Sequence, residues 1–369
     1  MTTTVSDRIR LRGKKHQMLP VDTVDLSCFV PHNPVSWAVC LYKVYAGAVP
    51  VLPTVRFESG NFFAADWASI NKLWRRGFYG KGTLSRSEPS WFNRTKRRLR
   101  LDEGTELSSE EIIAQRRHQR EEFKRQRQEL DALERRYKLE EDSANLARVE
   151  KLRHALTETK GRHARSSTPV EEVEIRPEDD VLIQEGKLQN IEVLQLSHTE
   201  TLFLKLIGCI DIQSEDGPVG LKTAWMQILG LEFTSEDSRL LRFIAYAHYR
   251  SLGWCVRSGL KFASDFLLYQ RGPPFQHAKY TLRVCGVKEG SMSWIRYSGI
   301  NRVVSGVKKT MVLSYVTSEW NENEFESIRE QMECCSDDHE FALLVADLVS
   351  HYRVDEVVYH RWVANRNRE

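Results

Sequence analysis

The sequence is poor in the features that mark secreted or membrane-spanning chains. Its seven cysteines among 369 residues are odd in number, scattered from Cys28 to Cys335, and never spaced CxxC. That usage argues against a disulfide framework or a structural zinc site and for a reducing compartment. No window approaches the roughly 18 to 20 uncharged apolar residues that a spanning helix needs. The most apolar early stretch, Trp37 to Leu52, is interrupted by Lys43, Gly47 and Pro50. The N-terminus sets Asp7 among Arg8, Arg10, Lys14 and Lys15 with no apolar run behind them, so a secretory signal is not expected there. Neither sign of charge dominates. The balance of 54 Lys and Arg against 51 Asp and Glu leaves +3, too little to identify a polyanionic partner by itself.

Composition divides the chain. Residues 1 to about 100 mix Pro, Gly and aromatics as a small irregular domain does, most densely in Leu73 to Arg94. That segment reads either as a packed loop with solvated charges or as a contact to RNA or a partner. From Arg94 to Arg165 proline disappears and glycine falls to positions 104 and 161, while 20 Lys or Arg and 15 Asp or Glu share 72 residues. Strong helix formers, an N-cap signal at Ser108–Ser109–Glu110–Glu111 and i,i+4 pairs such as Glu121–Arg125 predict a helix of about 50 residues over 109–159. Its apolar positions, among them Phe123, Leu130 and Tyr137, form only a broken stripe, which argues against a long parallel coiled coil. A solvated spacer and an RNA-binding arm are both consistent with it. The run Arg94-Thr95-Lys96-Arg97-Arg98-Leu99-Arg100 fits a nuclear address or a phosphate contact, a weak signal either way.

A second folded region begins near Val181. Thr199 to Ile212 reads as an amphipathic helix entering an apolar strand, and Ser235 to Arg250 as a helix with Leu240, Leu241, Ile244 and Tyr246 inward. Beyond it, β-branched and aromatic runs at 254–256, 265–269, 280–284, 310–316 and 354–362 predict strands in a mixed sheet.

The chemistry concentrates where the 265–269 run ends. Tyr269 and His277 flank Gly272-Pro273-Pro274, and proline fixes φ near −65°, so a rigid turn could face both side chains into one pocket. His titrates near neutrality, whereas Tyr accepts a proton only if positive charge lowers its pKa from about 10 or if removal is concerted. Lys308 and Lys309 precede a later strand and are candidates for that charge. By residue type alone, the pair fits either proton transfer or ordinary buried residues with satisfied hydrogen bonds. Asp265, on the alternating face of Tyr269, suits a structural hydrogen bond better than catalysis.

The run YRSLGWCVRSGLKFASDFLLYQRGPPFQHA (Tyr249 to Ala278) closely resembles the catalytic signature of the tRNA-splicing endonucleases, and Asn301 to Val316 resembles their lysine segment. GFYGKGTLSRSEPSW (Gly77 to Trp91) looks like the N-terminal region of the catalytic subunit type that cuts the 5′ splice site, and residues 358–363 are similar to its end. The likeness covers about 70–100 and 200–369; Ala263 and Gln276 depart from the pattern, where glycine and an aromatic are common. Composition and likeness together give an α+β fold: a small N-terminal domain (1–100), a charged helical insertion or linker (101–165), the first part of an endonuclease module (180–245), and a C-terminal α/β nuclease domain with a mixed sheet (246–369).

The resemblance further implies Tyr269 as general base, His277 as general acid and Lys309 as stabiliser of the transition state. Lys309 is preferred to Lys308 because Arg302 stands seven residues before it. Arg302 and Trp362, with Trp320 as a weaker alternative, would hold an unstacked RNA base by cation–π contact. The expected reaction is attack by the substrate's own 2′-OH. It leaves a 2′,3′-cyclic phosphate and a 5′-OH, and the internal nucleophile makes a metal or other cofactor unnecessary. No HxH or HExxH motif occurs. The implied partners are precursor tRNA and the other members of a heterotetramer, one catalytic and two structural. The C-terminal sheet edge and Phe341 to Val349 are candidate interfaces, the latter equally an ordinary core helix. The implied residence is the nucleus or, through partners, the cytoplasmic face of mitochondria. The rival readings are the subunit that cuts the 3′ splice site and a non-catalytic RNA-binding scaffold subunit.

Overall fold

The computed structural model describes residues 51–85, 87–99, 109–140, 183–184, 187–230, 232–286 and 292–359, together with 18–20 and 38. The chain separates into two compact units, Met1–Pro89 with Glu192–Glu369, and Ser90–Ile191.

The first unit is α+β. Its N-terminal part runs β1 (Thr54–Glu58), β2 (Asn61–Ala64), α1 (Trp67–Arg75) and β3 (Lys81–Gly82). The second unit contributes α2 (Trp91–Arg98), α3 (Ser109–Glu140) and the hairpin β4 (Ile183–Gln184) and β5 (Lys187–Leu188). The first unit then resumes with β6 (Leu194–Leu196), α4 (His198–Leu206), β7 (Asp211–Ser214), β8 (Gly217–Val219), α5 (Leu221–Leu229) and α6 (Ser238–Ser251). It closes with β9 (Cys255–Ser258), β10 (Phe266–Tyr269), β11 (Tyr280–Gly286), α7 (Trp294–Gly306), β12 (Thr310–Ser318), α8 (Glu322–Cys334), α9 (Asp338–Ser350) and β13 (Tyr352–Tyr359).

Strands from both sequence segments of the first unit share one sheet, ordered β3-β6-β2-β1-β7-β8, in which β1 runs parallel to β7 and the other pairs are antiparallel. A second, five-stranded sheet is ordered β13-β12-β11-β10-β9. Only β11 and β12 run parallel there, joined by the crossover through α7, so the sheet is mixed. The strand positions expected from β-branched and aromatic runs are occupied by β9 to β13, with residues 360–362 of the last run outside the described residues. Alternation sets the two faces. Val256, Phe266, Leu268, Leu282 and Val312 pack with Leu241 and Ile244 of α6, while Met311 and Leu313 pack with Tyr297, Ile300 and Val304 of α7.

Helix boundaries follow local chemistry. Ser197 and Glu200 form a reciprocal capping box at α4, and Asp66 and Asp237 accept backbone N–H groups at the starts of α1 and α6. Gly220 has no side chain to cap α5. Asp338 supplies a carboxylate from α9, accepting from Leu221 N at 2.8 Å and Lys222 N at 3.2 Å. The apolar segment Phe341 to Val349 lies in α9, which buries Phe341, Val345 and Leu348 in the main core and leaves Leu343 exposed. In the second unit, the described part of the long charged helix spans 32 residues, with Phe123 and Leu130 half-buried. Residues 141–159 of the expected helix lie outside the described residues.

Candidate active site

Three strand ends meet at one end of the five-stranded sheet. Tyr269 closes β10, opposite Cys255 of β9, and the chain returns through residues 270–279 to β11, with Lys279 N donating to Leu268 O at 3.3 Å. His277 stands three residues before β11, and Lys309 stands one residue before β12, which lies parallel to β11 with Tyr280 opposite Thr310. Neighbouring strands lie about 4.8 Å apart, so β10 to β12 spans about 10 Å. Lys309 is tied to the residue next to His277: its Nζ donates to the Ala278 carbonyl at 2.8 Å.

Each side chain has a distinct environment. Tyr269 is half-buried against Trp74, Phe78 and Cys255. Burial pushes its phenol above the usual value, and the positive charge of Arg257 on β9 offsets part of that rise. The offsetting charge therefore includes a cross-strand arginine, where the sequence pointed to Lys308 and Lys309. Antiparallel pairing of Leu267 with Arg257 puts Arg257 on the Tyr269 face two residues away. His277 is exposed. Lys309 is half-buried, its ammonium 5.3 Å from the centroid of the Phe262 ring, and burial lowers its pKa. Lys308 is exposed and takes φ 55°, the left-handed turn that leads α7 into β12. Of the two lysines, the one bonded within the candidate site is Lys309.

The segment around Gly77 packs behind this site. Leu73, Trp74, Phe78 and Tyr79 are buried. Arg250 on α6 donates from Nη1 to Gly77 O at 2.9 Å, from Nε to Tyr246 Oη at 2.9 Å and from Nη2 to Val256 O at 3.4 Å. Its guanidinium also lies 4.2 Å from the Tyr79 ring centroid. Arg257 Nη1 donates to the carbonyls of Phe78 and Gly80, Nη2 donates to Ser87 Oγ at 3.3 Å, and Nη1 lies 3.8 Å from Glu200 Oε1. In the described portion of this segment the packed-loop reading holds. Nothing in the sequence singles out Arg250, Arg257 or Phe262. The pairing of a predicted β9 with β10 was the one signal that could have pointed to Arg257.

Asp265 serves structure. It accepts from Arg283 Nη1 at 3.2 Å and Val284 N at 2.9 Å and pairs with Arg242 Nε at 3.1 Å. Arg302 is exposed on α7. Trp320 donates Nε1–H to Leu348 O at 3.1 Å and packs its ring 4.1 Å from His351. Trp362 lies outside the described residues. Among the described residues no group of three or more His, Cys, Asp or Glu is arranged to hold a metal ion, and no helix is long and apolar enough to cross a membrane.

Comparison with known proteins adds to this geometry. Residues 240–323, which span α6 to the start of α8, match the family described as "tRNA intron endonuclease, catalytic C-terminal domain". The chain is 34% identical over 392 residues to tRNA-splicing endonuclease subunit SEN2 of Saccharomyces cerevisiae, covering 98% of this chain and 99% of that protein. It is 36% identical over 377 residues to the SEN2 subunit of Eremothecium gossypii, with the same coverage. Against the Sen2 subunit of Rattus norvegicus the likeness is 32% over 185 residues, 48% of this chain and 36% of that one.

Proposed function

The chain belongs to the SEN2 family of tRNA-splicing endonuclease subunits, and on that premise we propose that it cuts intron-containing precursor tRNA at the 5′ splice site. The substrate's 2′-oxygen attacks the adjacent phosphorus while Tyr269 takes its proton. The P–O5′ bond breaks and His277 gives its proton to the departing 5′-oxygen. The Lys309 ammonium balances the charge gathered on the non-bridging oxygens. The products are a 2′,3′-cyclic phosphate and a 5′-hydroxyl, and because the nucleophile is part of the substrate the reaction needs no metal-generated hydroxide.

The observation that carries this reading is the 2.8 Å bond from Lys309 Nζ to Ala278 O. It ties the lysine to the residue beside His277, at the sheet end where Tyr269 closes the neighbouring strand. Tyr269 is above its usual pKa, so the phenol is protonated at neutral pH. The base is therefore the minor phenolate form, which the Arg257 charge favours, and it becomes the neutral phenol as it takes the 2′-OH proton during attack. Arg302, exposed on α7, and Trp362 are proposed to hold a splayed RNA base between a guanidinium and a ring. The chain works within a heterotetramer, with one further catalytic and two structural subunits, in the nucleus.

Mapping the ends left at the 5′ splice site by the reconstituted complex, with a chelator present, tests the reading. A cyclic phosphate facing a 5′-hydroxyl is expected. A 3′-hydroxyl facing a 5′-phosphate, or cutting that stops with the chelator, contradicts it.

A further inference from the structure

Phe78 occupies a backbone conformation that its side chain disfavours. Its φ is 58°, in the left-handed region where bulky residues are outliers, and it sits between Gly77 at φ 99° and Gly80 at φ 69°. The conformation is imposed from several directions. Phe78 N donates to Trp74 O at 3.2 Å and its carbonyl accepts from Arg257, while Arg250 holds the preceding carbonyl of Gly77. Glycine would suit this backbone better, so the reason for a phenylalanine lies in what its ring touches.

The ring touches both halves of the candidate site. On one side it shares an apolar cluster with Trp74, Cys255 and Tyr269. On the other it fills the space above Gly272, itself at φ 106°, where an added Cβ would overlap the ring atoms Cε2, Cδ2 and Cζ. Gly272 is the anchor of the turn that carries His277: its carbonyl accepts from Phe275 N at 3.2 Å and Gln276 N at 3.3 Å. The Phe275 ring meets Phe78 edge-on, with centroids 6.1 Å apart. Beyond His277, Ala278 is fixed by Lys309. The imidazole is therefore borne by a short span held at one end by Phe78 and at the other by the lysine.

We propose that Phe78, from the N-terminal part of the chain, is a positioning residue that sets the 270–277 turn against Tyr269 and so aims His277 at the leaving 5′-oxygen. The inference rests on the reading of His277 as general acid. It gives the N-terminal segment a part in the chemistry and accounts for both the strained backbone of Phe78 and the absence of a side chain at Gly272.

The test uses the reconstituted complex under single-turnover conditions with two precursor tRNAs, one ordinary and one carrying sulfur in place of the bridging 5′-oxygen at the 5′ splice site. A thiolate leaves without being protonated, so a defect confined to the acid step disappears with the sulfur substrate. Phe78→Ala is expected to slow cutting of the ordinary substrate about 10- to 100-fold, the scale of an ångström-level misplacement. Precursor binding and cutting at the 3′ site should be unchanged, and the rate on the sulfur substrate near that of the unaltered complex. Phe78→Leu, which keeps apolar bulk, should fall between, and Gly272→Ala, which pushes on the ring from the other side, should reproduce the pattern. An unchanged rate for Phe78→Ala, or an equal loss on both substrates, overturns the inference. His277→Ala is the reference. If sulfur rescues His277→Ala but not Phe78→Ala or Phe78→Leu, the positioning role alone fails. If sulfur does not rescue His277→Ala, the acid assignment fails and takes this inference with it.

Discussion

Replacing Arg250 with methionine removes the tie between α6 and the N-terminal segment while keeping much of the side-chain bulk. Arg250 is only 4% exposed, so the acceptors it serves have no ready access to water. Gly77 O and Val256 O would each lose a charged donor, Gly77 O keeping the weak Cys255 Sγ–H donor at 3.7 Å, whereas Tyr246 Oη can turn its own proton elsewhere. A hydrogen bond to a charged group contributes about 1.5–3 kcal/mol, and leaving a buried acceptor unserved costs a comparable amount. Set against this is the desolvation of the guanidinium, which the methionine no longer incurs. The 4.2 Å stacking on Tyr79 is also lost, a cation–π contact of about 1–2 kcal/mol when buried. The net loss should be about 3 kcal/mol, or about 6–12 °C in Tm for a unit of this size. Thermal unfolding of the complex followed by calorimetry reads the first quantity. Limited proteolysis reads the second consequence, new cleavage around residues 72–82 as the segment loosens. A fall of less than about 2 °C with no new cleavage would mean that Arg250 does not hold the segment in place.

Other outcomes follow from the same geometry. Lys309→Ala should slow 5′-site cutting about 10²- to 10³-fold, the scale for losing one transition-state donor, while Lys308→Ala stays within a few-fold; single-turnover rates check this, and a larger effect at Lys308 reverses the assignment. Arg257 lowers the Tyr269 pKa that burial raises, so Arg257→Gln should drive that pKa further up and shift the rising limb of the pH–rate profile to higher pH; a shift the other way contradicts the coupling. Ala263 lies at φ 53°, where a Cβ is penalised, so Ala263→Gly should raise stability by up to about 1 kcal/mol, visible as a higher Tm, with cutting unaffected.

How far the sequence reveals this protein depends on what each element needs. Strands β9 to β13 are legible through their β-branched and aromatic runs, those of β11 and β12 buried on two faces, and α6 because Leu240, Leu241 and Ile244 recur on one side. Tyr269 and His277 stand out through the Gly-Pro-Pro turn between them, with the resemblance supplying their roles. The parallel pairing of β1 with β7 joins Thr54 to Asp211, and no local pattern announces a partner so distant. Phe78 looks like any aromatic in a glycine-rich loop, because nothing in the letters shows that its backbone is left-handed or that its ring meets Gly272. Arg250 and Arg257 read as helix-end and strand charges. Their ties to the N-terminal segment run chiefly to backbone carbonyls, which every residue carries and no sequence can single out.

The most direct measurement of the central claim is the rate of each cut in a reconstituted complex carrying His277→Ala. Cutting at the 5′ splice site should fall by about 10² or more, while cutting at the 3′ site and affinity for precursor tRNA hold steady. Equal loss of both cuts, or a 5′ rate that does not change, would contradict that claim.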